Sequence, residues 1–185
     1  MIESYFSIST YYESVIVLRK EFDMDAFASF SGVVTAIDDY WDNAQRVSGC
    51  VKIISVTNRE ENVVNFVADS STYFIDGAVF RIGDNVIGFY DPNLPTILIY
   101  PPQYHAVVMA RNRQNQNVKL DYFDSNLISS DGTLKLNISR STRISLTNGQ
   151  PFNANLGNHN LAVVYGVTTR SIPAQATPKQ VIVLC

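Results

Sequence analysis

Charge is what this chain has least of. Asp, Glu, Lys and Arg make up 17% of it, against ~25% in an average soluble domain, and the net charge is -3. Bulk electrostatics of that size give no reason to expect nucleic acid as a partner. Cysteine and histidine are scarce as well, with two of each. Cys50 and Cys185 have neither the spacing nor the companion ligands of a zinc site. A Cys50–Cys185 disulfide is compatible with the sequence, but the reading taken is a buried, free Cys50 and a frayed, terminal Cys185. His105 opens an apolar run and His159 sits in Asn-His-Asn, a loop context. No Gly-x-Ser-x-Gly elbow is present, and Gly83, Gly88 and Gly132 stand alone rather than in a phosphate-cradling pattern. No catalytic residue, metal ligand or cofactor is therefore assigned, and the chain is read as non-enzymatic. The opening MIESYFSIST lacks the basic start and apolar stretch of a signal peptide, and no run approaches a membrane span. The expectation is a soluble protein without membrane insertion, made in a cytoplasm or already processed.

What is present in quantity is β-forming material. Hydrophobic residues make up 46% of the chain, and Asn, Ser, Thr and Gln stand where charge is missing. The stretch Thr72 to Arg111 contains short runs rich in β-branched and aromatic residues. They are cut at Asp76-Gly77, Gly83-Asp84-Asn85, Asp91-Pro92-Asn93 and Pro101-Pro102. Each cut supplies a residue that tolerates positive φ or a proline with fixed φ. Few amphipathic helices tolerate that density of Gly and Pro. The block reads as consecutive antiparallel strands.

The remaining elements follow in order. Ile2 to Ser9 and Ser14 to Leu18 are strand-like. Asp23 or Asp25 can cap a short helix through Ala26, Phe27, Ala28 and Phe30, which Ser31-Gly32 interrupts, and Asp38 to Gln45 can form a second helix or a turn. Val51 to Val56 and Asn62 to Ala68 read as strands joined by a polar turn. Tyr104 to Arg111 and Val118 to Phe123 read as a hairpin with a protruding tip. Leu127-Ile128 and Leu134 to Ile138 flank an Asp131-Gly132 turn, Thr142 to Leu146 alternates, and Leu161 to Val167 and Val181 to Leu184 are apolar strands. Val15, Val17, Ile53, Phe66, Phe80, Ile82, Val107, Leu136, Val163 and Val183 lie on the apolar phase and are the expected core. No fixed-period repeat is visible, which argues against a propeller or β-solenoid. The pattern predicts an all-β fold: an antiparallel β-sandwich, jelly-roll-like, with one or two short helices near the N-terminus. It is read as one domain over residues 1–185, with 1–48 as an N-terminal arm or helical segment packed on it.

Four groups of side chains are worth weighing. Asp38-Asp39-Tyr40-Trp41-Asp42 places carboxylates close together, but without the spacing or sharp-turn glycine of a calcium loop, so solvated carboxylates are the plainer reading. Trp41 and Tyr5, Tyr11, Tyr12, Tyr40, Tyr73, Tyr90, Tyr100, Tyr104 and Tyr122 can form a platform for sugar rings, or simply fill a β-core. Arg111, Arg113, Arg140 and Arg143 can converge on one local patch or remain solvated loop charges. Asn137-Ile138-Ser139 matches an N-glycosylation acceptor, a pattern common by chance.

In texture the chain resembles small all-β structural proteins of virus particles, phage included: spike, capsid, decoration or tail proteins. The features that carry this are low charge, an Asn/Ser/Thr/Gln surface, many short strands and a terminal strand ending in VIVLC. The resemblance implies a jelly-roll or related sandwich that assembles with copies of itself and other particle proteins, located in the virion. It transfers no functional residue. The alternative is a glycan- or receptor-binding β-module whose partner is a host-surface glycan.

Gly77, Gly132 and Gly149 are expected at positive φ. Gly132→Val should therefore destabilise by about 1 kcal/mol more than Gly132→Asn, because Asn tolerates the left-handed region and a β-branched residue does not. Equal losses in urea unfolding would remove the turn at Asp131-Gly132.

Overall fold

The computed structural model describes residues 27–41, 47–96 and 99–185. Nearly all regular structure in them is strand: β1 (Ala28–Trp41), β2 (Val47–Thr57), β3 (Val63–Ala68), β4 (Tyr73–Phe74), β5 (Asn85–Tyr90), β6 (Gln103–His105), β7 (Val108–Arg111), β8 (Asn117–Phe123), β9 (Leu134–Leu136), β10 (Arg143–Leu146), β11 (His159–Tyr165), β12 (Ala174–Ala176) and β13 (Pro178–Leu184). A 3₁₀ turn, Ile75–Gly77, is the one helical element among the described residues. None of their helices is long and apolar enough to cross a membrane.

β1 has two partners. Its first half, from Ala28, runs antiparallel to β5, and its second half, to Trp41, runs antiparallel to β2. The two pairings meet around Gly32 and Val33. A Cβ on Gly32 would lie 2.2 Å from the Thr57 carbonyl oxygen, so this convergence requires glycine. β2 and β3 form a hairpin whose turn is fastened by Asn58, with its Oδ1 accepting the N–H groups of Glu60 and Asn62 at 2.9 and 3.0 Å. β6 runs parallel to β3, and β7 runs antiparallel to β5. β6 and β7 are separated only by Ala106 and Val107. The Ala106 N–H donates to Val67 O (2.9 Å) and the Val107 N–H to Phe89 O (2.8 Å). The segment Gln103 to Arg111 thus hands over from β3 to β5 and closes a barrel in the order β1-β2-β3-β6/β7-β5. β4 adds in parallel to the edge of β7 that this handover leaves free.

Alternation along these strands fills the barrel. Val34, Ile54, Val56, Val64, Phe66, Ala68, Val86, Ala106 and Met109 point inward, and Phe80 joins them from the loop after the 3₁₀ turn. Phe66 lies across the interior against Gly88, where an added Cβ would sit 2.5 Å from the ring.

The rest of the chain builds a second stack. β10, β13, β11 and β8 form one sheet, with β10 parallel to β13, and β12 pairs in parallel with β9. Leu161, Val163, Val181 and Val183 face β9, β12 and Phe123. On the other side of the sheet, Leu120, Ala162, Val164 and Ile182 meet Phe89, Val108 and Ala110 on the outside of the barrel. β11 and β13 are covered on both faces, and for that reason read as continuous apolar runs.

The all-β expectation holds, while several finer expectations do not. The sheets are mixed rather than antiparallel throughout. The short parallel pairings give a β-solenoid-like stacking rather than a clear jelly roll, and none of them requires a repeat in the sequence. The helices expected after Asp25 and from Asp38 are replaced by β1. Phe27, Ala28 and Phe30 mimic helical spacing, but pairing with β5 draws the segment into the barrel, and Asp38 to Trp41 pairs with Ile53 to Val47 of β2. Asp23, Asp25, Ala26 and residues 42–45 lie outside the described residues, as do Val15, Val17 and the expected strands before residue 20. The Tyr104–Arg111/Val118–Phe123 hairpin is absent: β7 pairs in the barrel and β8 pairs with β11. Of the expected core, Phe66, Phe80, Leu136, Val163 and Val183 are buried and Ile53 and Val107 are half-buried. Ile82 is exposed, because Gly83 and Asp84 turn the chain directly after it, with the Asp84 N–H donating to Arg81 O at 3.0 Å. Cys50 is exposed and free, as is Cys185. Cys50 precedes Lys52, the first β2 residue with a β3 partner, so no neighbouring strand covers it there. Gly77, Gly132 and Gly149 have φ of 59°, 67° and 83°.

The Phe66–Gly88 contact generates a coupling prediction. Phe66→Ala should cost about 3–5 kcal/mol, and Gly88→Ala about 1–3 kcal/mol by overpacking. Gly88→Ala combined with Phe66→Leu should cost less than the sum of the two single changes, since the shorter side chain makes room for the methyl. Additive losses in urea unfolding would show that the ring does not depend on the glycine.

Candidate functional site

The outer face of β2, β3 and β6 is not covered by the second stack. Register places side chains across it in rows. Ser55, Asn65 and Gln103 are direct cross-strand neighbours, and Ile53, Val67 and His105 form the adjacent row. The Ser55 hydroxyl donates to Asn65 Oδ1 at 2.8 Å, which fixes the Asn65 amide and leaves its NH₂ group to point elsewhere. On the β1 side, the Thr35 hydroxyl donates to Ser55 O and lies 3.3 Å from the Thr57 hydroxyl. From there the polar surface continues into an open groove of about 770 Å³, lined among others by Ser29, Ser31, Thr57, Asn58, Asn85 and Asn112. Arg59 and Glu60, opposite in sign, stand at the turn end of that groove. Apart from that pair, the track from Gln103 to Ser29 is made of uncharged hydrogen-bonding side chains, with Phe30 and Val33 as apolar floor.

Aromatic residues stand at the two ends of this face. Trp41 is 61% exposed and lies beyond the last β2–β3 pair, and Tyr100 is 82% exposed just before β6. The other described tyrosines do not form a surface platform. Tyr90 and Tyr104 stack on each other at 3.9 Å, half-buried beside Phe66. Tyr73 is half-buried, and burial raises its pKa above the ordinary value. Tyr122 donates to Asn158 Oδ1 at 3.2 Å. Tyr5, Tyr11 and Tyr12 lie outside the described residues.

The acidic group beside Trp41 does not converge. Asp38 and Asp39 are consecutive on a strand and face opposite sides; Asp39 pairs with Lys52, its cross-strand neighbour. Asp42 lies outside the described residues, and among those described no group of His, Cys, Asp and Glu could hold a metal ion.

One cluster was not legible in the sequence. Asp69, Ser71 and His105 meet at the end of β3. Ser71 Oγ donates to Asp69 Oδ1 at 2.6 Å, and His105 Nε2 lies 3.1 Å from Asp69 Oδ2 and 3.3 Å from Ser71 Oγ. The residue types are those of a hydrolase triad, but the connectivity is not. Carboxylate and hydroxyl share the same imidazole nitrogen, so no relay runs from Asp through His to Ser. The hydroxyl proton is directed to the carboxylate, which makes this a turn-stabilising unit: Asp69 also accepts the Ser71 N–H at 2.8 Å. His159 is likewise structural, with Nδ1 2.9 Å from Gly157 O and its ring edge against Phe152.

A second ionic cluster joins β8 to the Asp131-Gly132 turn. Lys119 Nζ lies 2.5 Å from Asp131 Oδ2 and 3.3 Å from Asp121 Oδ2, and Asp121 is buried. Burial pushes the Asp131 carboxyl up, but the Lys119 ammonium, the Ser129 hydroxyl and Thr133 together hold it well below the usual carboxylate range. These groups pair and hydrogen-bond with one another, which fastens the Asp131-Gly132 turn to β8.

The arginines separate. Arg111 binds Asp84 and Arg143 binds Asp76, each at 3.1 Å, while Arg113 lies beside Arg111, and Arg140 is exposed on the turn before β10. No family model matches the chain, and no curated protein or solved structure matches it either.

Asp69 gives a pH prediction. The Ser71 hydroxyl and then the Ser71 N–H lower its pKa from 3.8 to about 2, against a raising effect of burial, with His105 adding to the lowering. A folded value below the unfolded one stabilises the fold above pH 3.8, and this stabilisation is lost as pH falls toward 2. Asp69→Asn should therefore be less stable than the parent at neutral pH, modestly because the site is solvated, and the gap should narrow toward pH 2. A gap in urea midpoint that stays constant down to that pH would contradict the assignment.

Proposed function

We propose that the protein is a non-enzymatic recognition module that binds a neutral, polyhydroxylated chain, a glycan, along the outer face of its barrel. The single observation behind this reading is the uncharged track from Gln103 through Asn65, Ser55, Thr35 and Thr57 into the Ser29–Asn112 groove. Hydroxyls and amides donate and accept in turn, as sugar hydroxyls do, and burying them under a ligand avoids the desolvation cost of charges. The exposed rings of Trp41 and Tyr100 at the ends of the face offer apolar surfaces for sugar rings. Charge along the track favours the saccharide: the one cation among the groove residues, Arg59, stands beside Glu60 at the turn end, whereas a nucleic-acid site needs several cations for the phosphates.

A second reading, a virus-particle component that assembles with copies of itself and with other particle proteins, has one supporting observation. Val167 and Ile172 are almost fully exposed on the loop between β11 and β12, where contact with a neighbouring subunit would cover them. Sedimentation that stays monomeric at high concentration would count against it.

The glycan reading is tested by screening the full chain on an array of neutral oligosaccharides. Asn65→Ala and Gln103→Ala should each weaken the best ligand about tenfold, the size expected for about one well-made hydrogen bond, with an unchanged melting temperature. No binding across the neutral set, or binding that both variants leave intact, would overturn the reading.

A further inference from the structure

Next to the neutral groove lies an open cleft of about 480 Å³ of a different character. It is lined by Asp76, Ala78, Val79, Arg81, Asp84, Arg111 and Arg113. The two surfaces adjoin through chain neighbours: Asn85 and Asn112 of the groove follow Asp84 and Arg111 of the cleft, and the Asn112 N–H donates to Asn85 O at 2.8 Å.

The carboxylates in the cleft are already engaged. Asp84 Oδ2 accepts from the Arg81 N–H at 2.9 Å and from Arg111 Nη2 at 3.1 Å. Asp76 is paired with Arg143 at 3.1 Å, from the side of β10. Arg111 is held in place by a further donation to Val79 O at 2.5 Å. Its guanidinium has five N–H donors, and its buried Nε finds no acceptor among the described residues. Arg81 and Arg113 are exposed, and their side chains make no ion pair or hydrogen bond among the described residues. Counting Arg81, Arg111 and Arg113 against Asp76 and Asp84 leaves the cleft lining with an excess of one positive charge, and Asp76 is paired besides with Arg143 from outside the cleft, on a chain whose net charge is -3.

We infer that this cleft is a binding site for a tetrahedral oxyanion, a phosphate or sulfate group. Arg111 is the fixed member, oriented by Asp84 and the Val79 carbonyl, and Arg81 and Arg113 are the free ones that close on the ligand. Guanidinium groups carry planar forks matched to such oxygens. They come here from separate points on the chain, Arg81 from the loop before β5 and Arg111 and Arg113 from the end of β7 and beyond. That arrangement suits three or four oxygens spread in space better than the two coplanar oxygens of a carboxylate. The cleft's own excess of positive charge governs the site, because more distant acidic groups are screened within ~8 Å at physiological salt. The inference is independent of the glycan reading. If that reading is right as well, the neighbouring sites would take one chain that carries a sulfate or phosphate ester.

The test is an NMR titration of the full chain with inorganic phosphate and, separately, inorganic sulfate, with ionic strength held constant by sodium chloride. Saturable shifts confined to the amides of residues 78–84 and 111–113 are expected for at least one of the two anions. The tighter anion identifies the ester class. Arg81→Gln and Arg113→Gln should each weaken that binding about tenfold, as loss of a charge-assisted pair does. Arg140→Gln, on an exposed turn outside the cleft, should leave it unchanged. Linear shifts that never saturate, equal affinity in the Arg81 and Arg113 variants, or acetate binding as tightly as phosphate would each overturn the inference. Because the two variants change exposed side chains, their one-dimensional spectra should stay those of the folded parent.

Discussion

The segment from Gln103 to Arg111 hydrogen-bonds with β3 in its first half and with β5 in its second, and the rest of the structure depends on that division. Without the handover at Ala106 and Val107, β3 and β5 would be free edges of an open sheet, each a row of unpaired N–H and C=O groups. With it the sheet closes, and alternation sends one set of side chains into the barrel and the other outward. The outward set then divides. Phe89, Val108 and Ala110 become the surface on which the second stack rests, while Ser55, Asn65 and Gln103 remain on the open face.

Closure also explains the two close approaches of the backbone. Within the closed barrel the Phe66 ring finds its place by lying on Gly88, where any side chain would collide with it. The strand that serves both β5 and β2 must bend at Gly32, where the Thr57 carbonyl leaves no space for a side chain. Neither glycine has a positive φ. Their role is contact distance rather than backbone freedom, in contrast to Gly77, Gly132 and Gly149 in the turns.

Scarcity of charge has a structural counterpart. Several of the described ionic groups are matched: Lys52 with Asp39, Arg111 with Asp84, Arg143 with Asp76, and Lys119 with Asp121 and Asp131. The open barrel face carries a row of hydroxyls and amides beside the Ile53–Val67–His105 row, and what remains unmatched in the adjoining cleft is guanidinium. The two surfaces differ in chemistry because β1, β2, β3 and β6 contribute Ser, Thr, Asn and Gln outward, whereas the loop before β5 and the end of β7 contribute arginine.

Short-range pattern in the sequence was sufficient for the strand content, the β2–β3 hairpin and the turns at Gly77, Gly132 and Gly149. It also marked LAVV and VIVL as apolar strands. Each of these rests on neighbours close in the chain, or on an alternation that any sheet would impose. Pattern misled where a segment's partners are distant. Phe27, Ala28 and Phe30 have helical spacing, yet the pairing of β1 with β2 and β5 makes a strand. Val118 to Phe123 follows β7 as a hairpin arm would, yet it joins β11 in another sheet. The candidate site was illegible for the same reason. Ser55, Asn65 and Gln103 become one row, and Arg81 and Arg111 line one cleft, only through cross-strand register. By itself the sequence determined that the chain would be built of strands, with little charge to place on its surface. Tertiary structure alone decided which strands pair and in which direction, because backbone hydrogen bonds between strands carry no record of side-chain identity and are chosen by how the whole set of apolar faces can be buried at once.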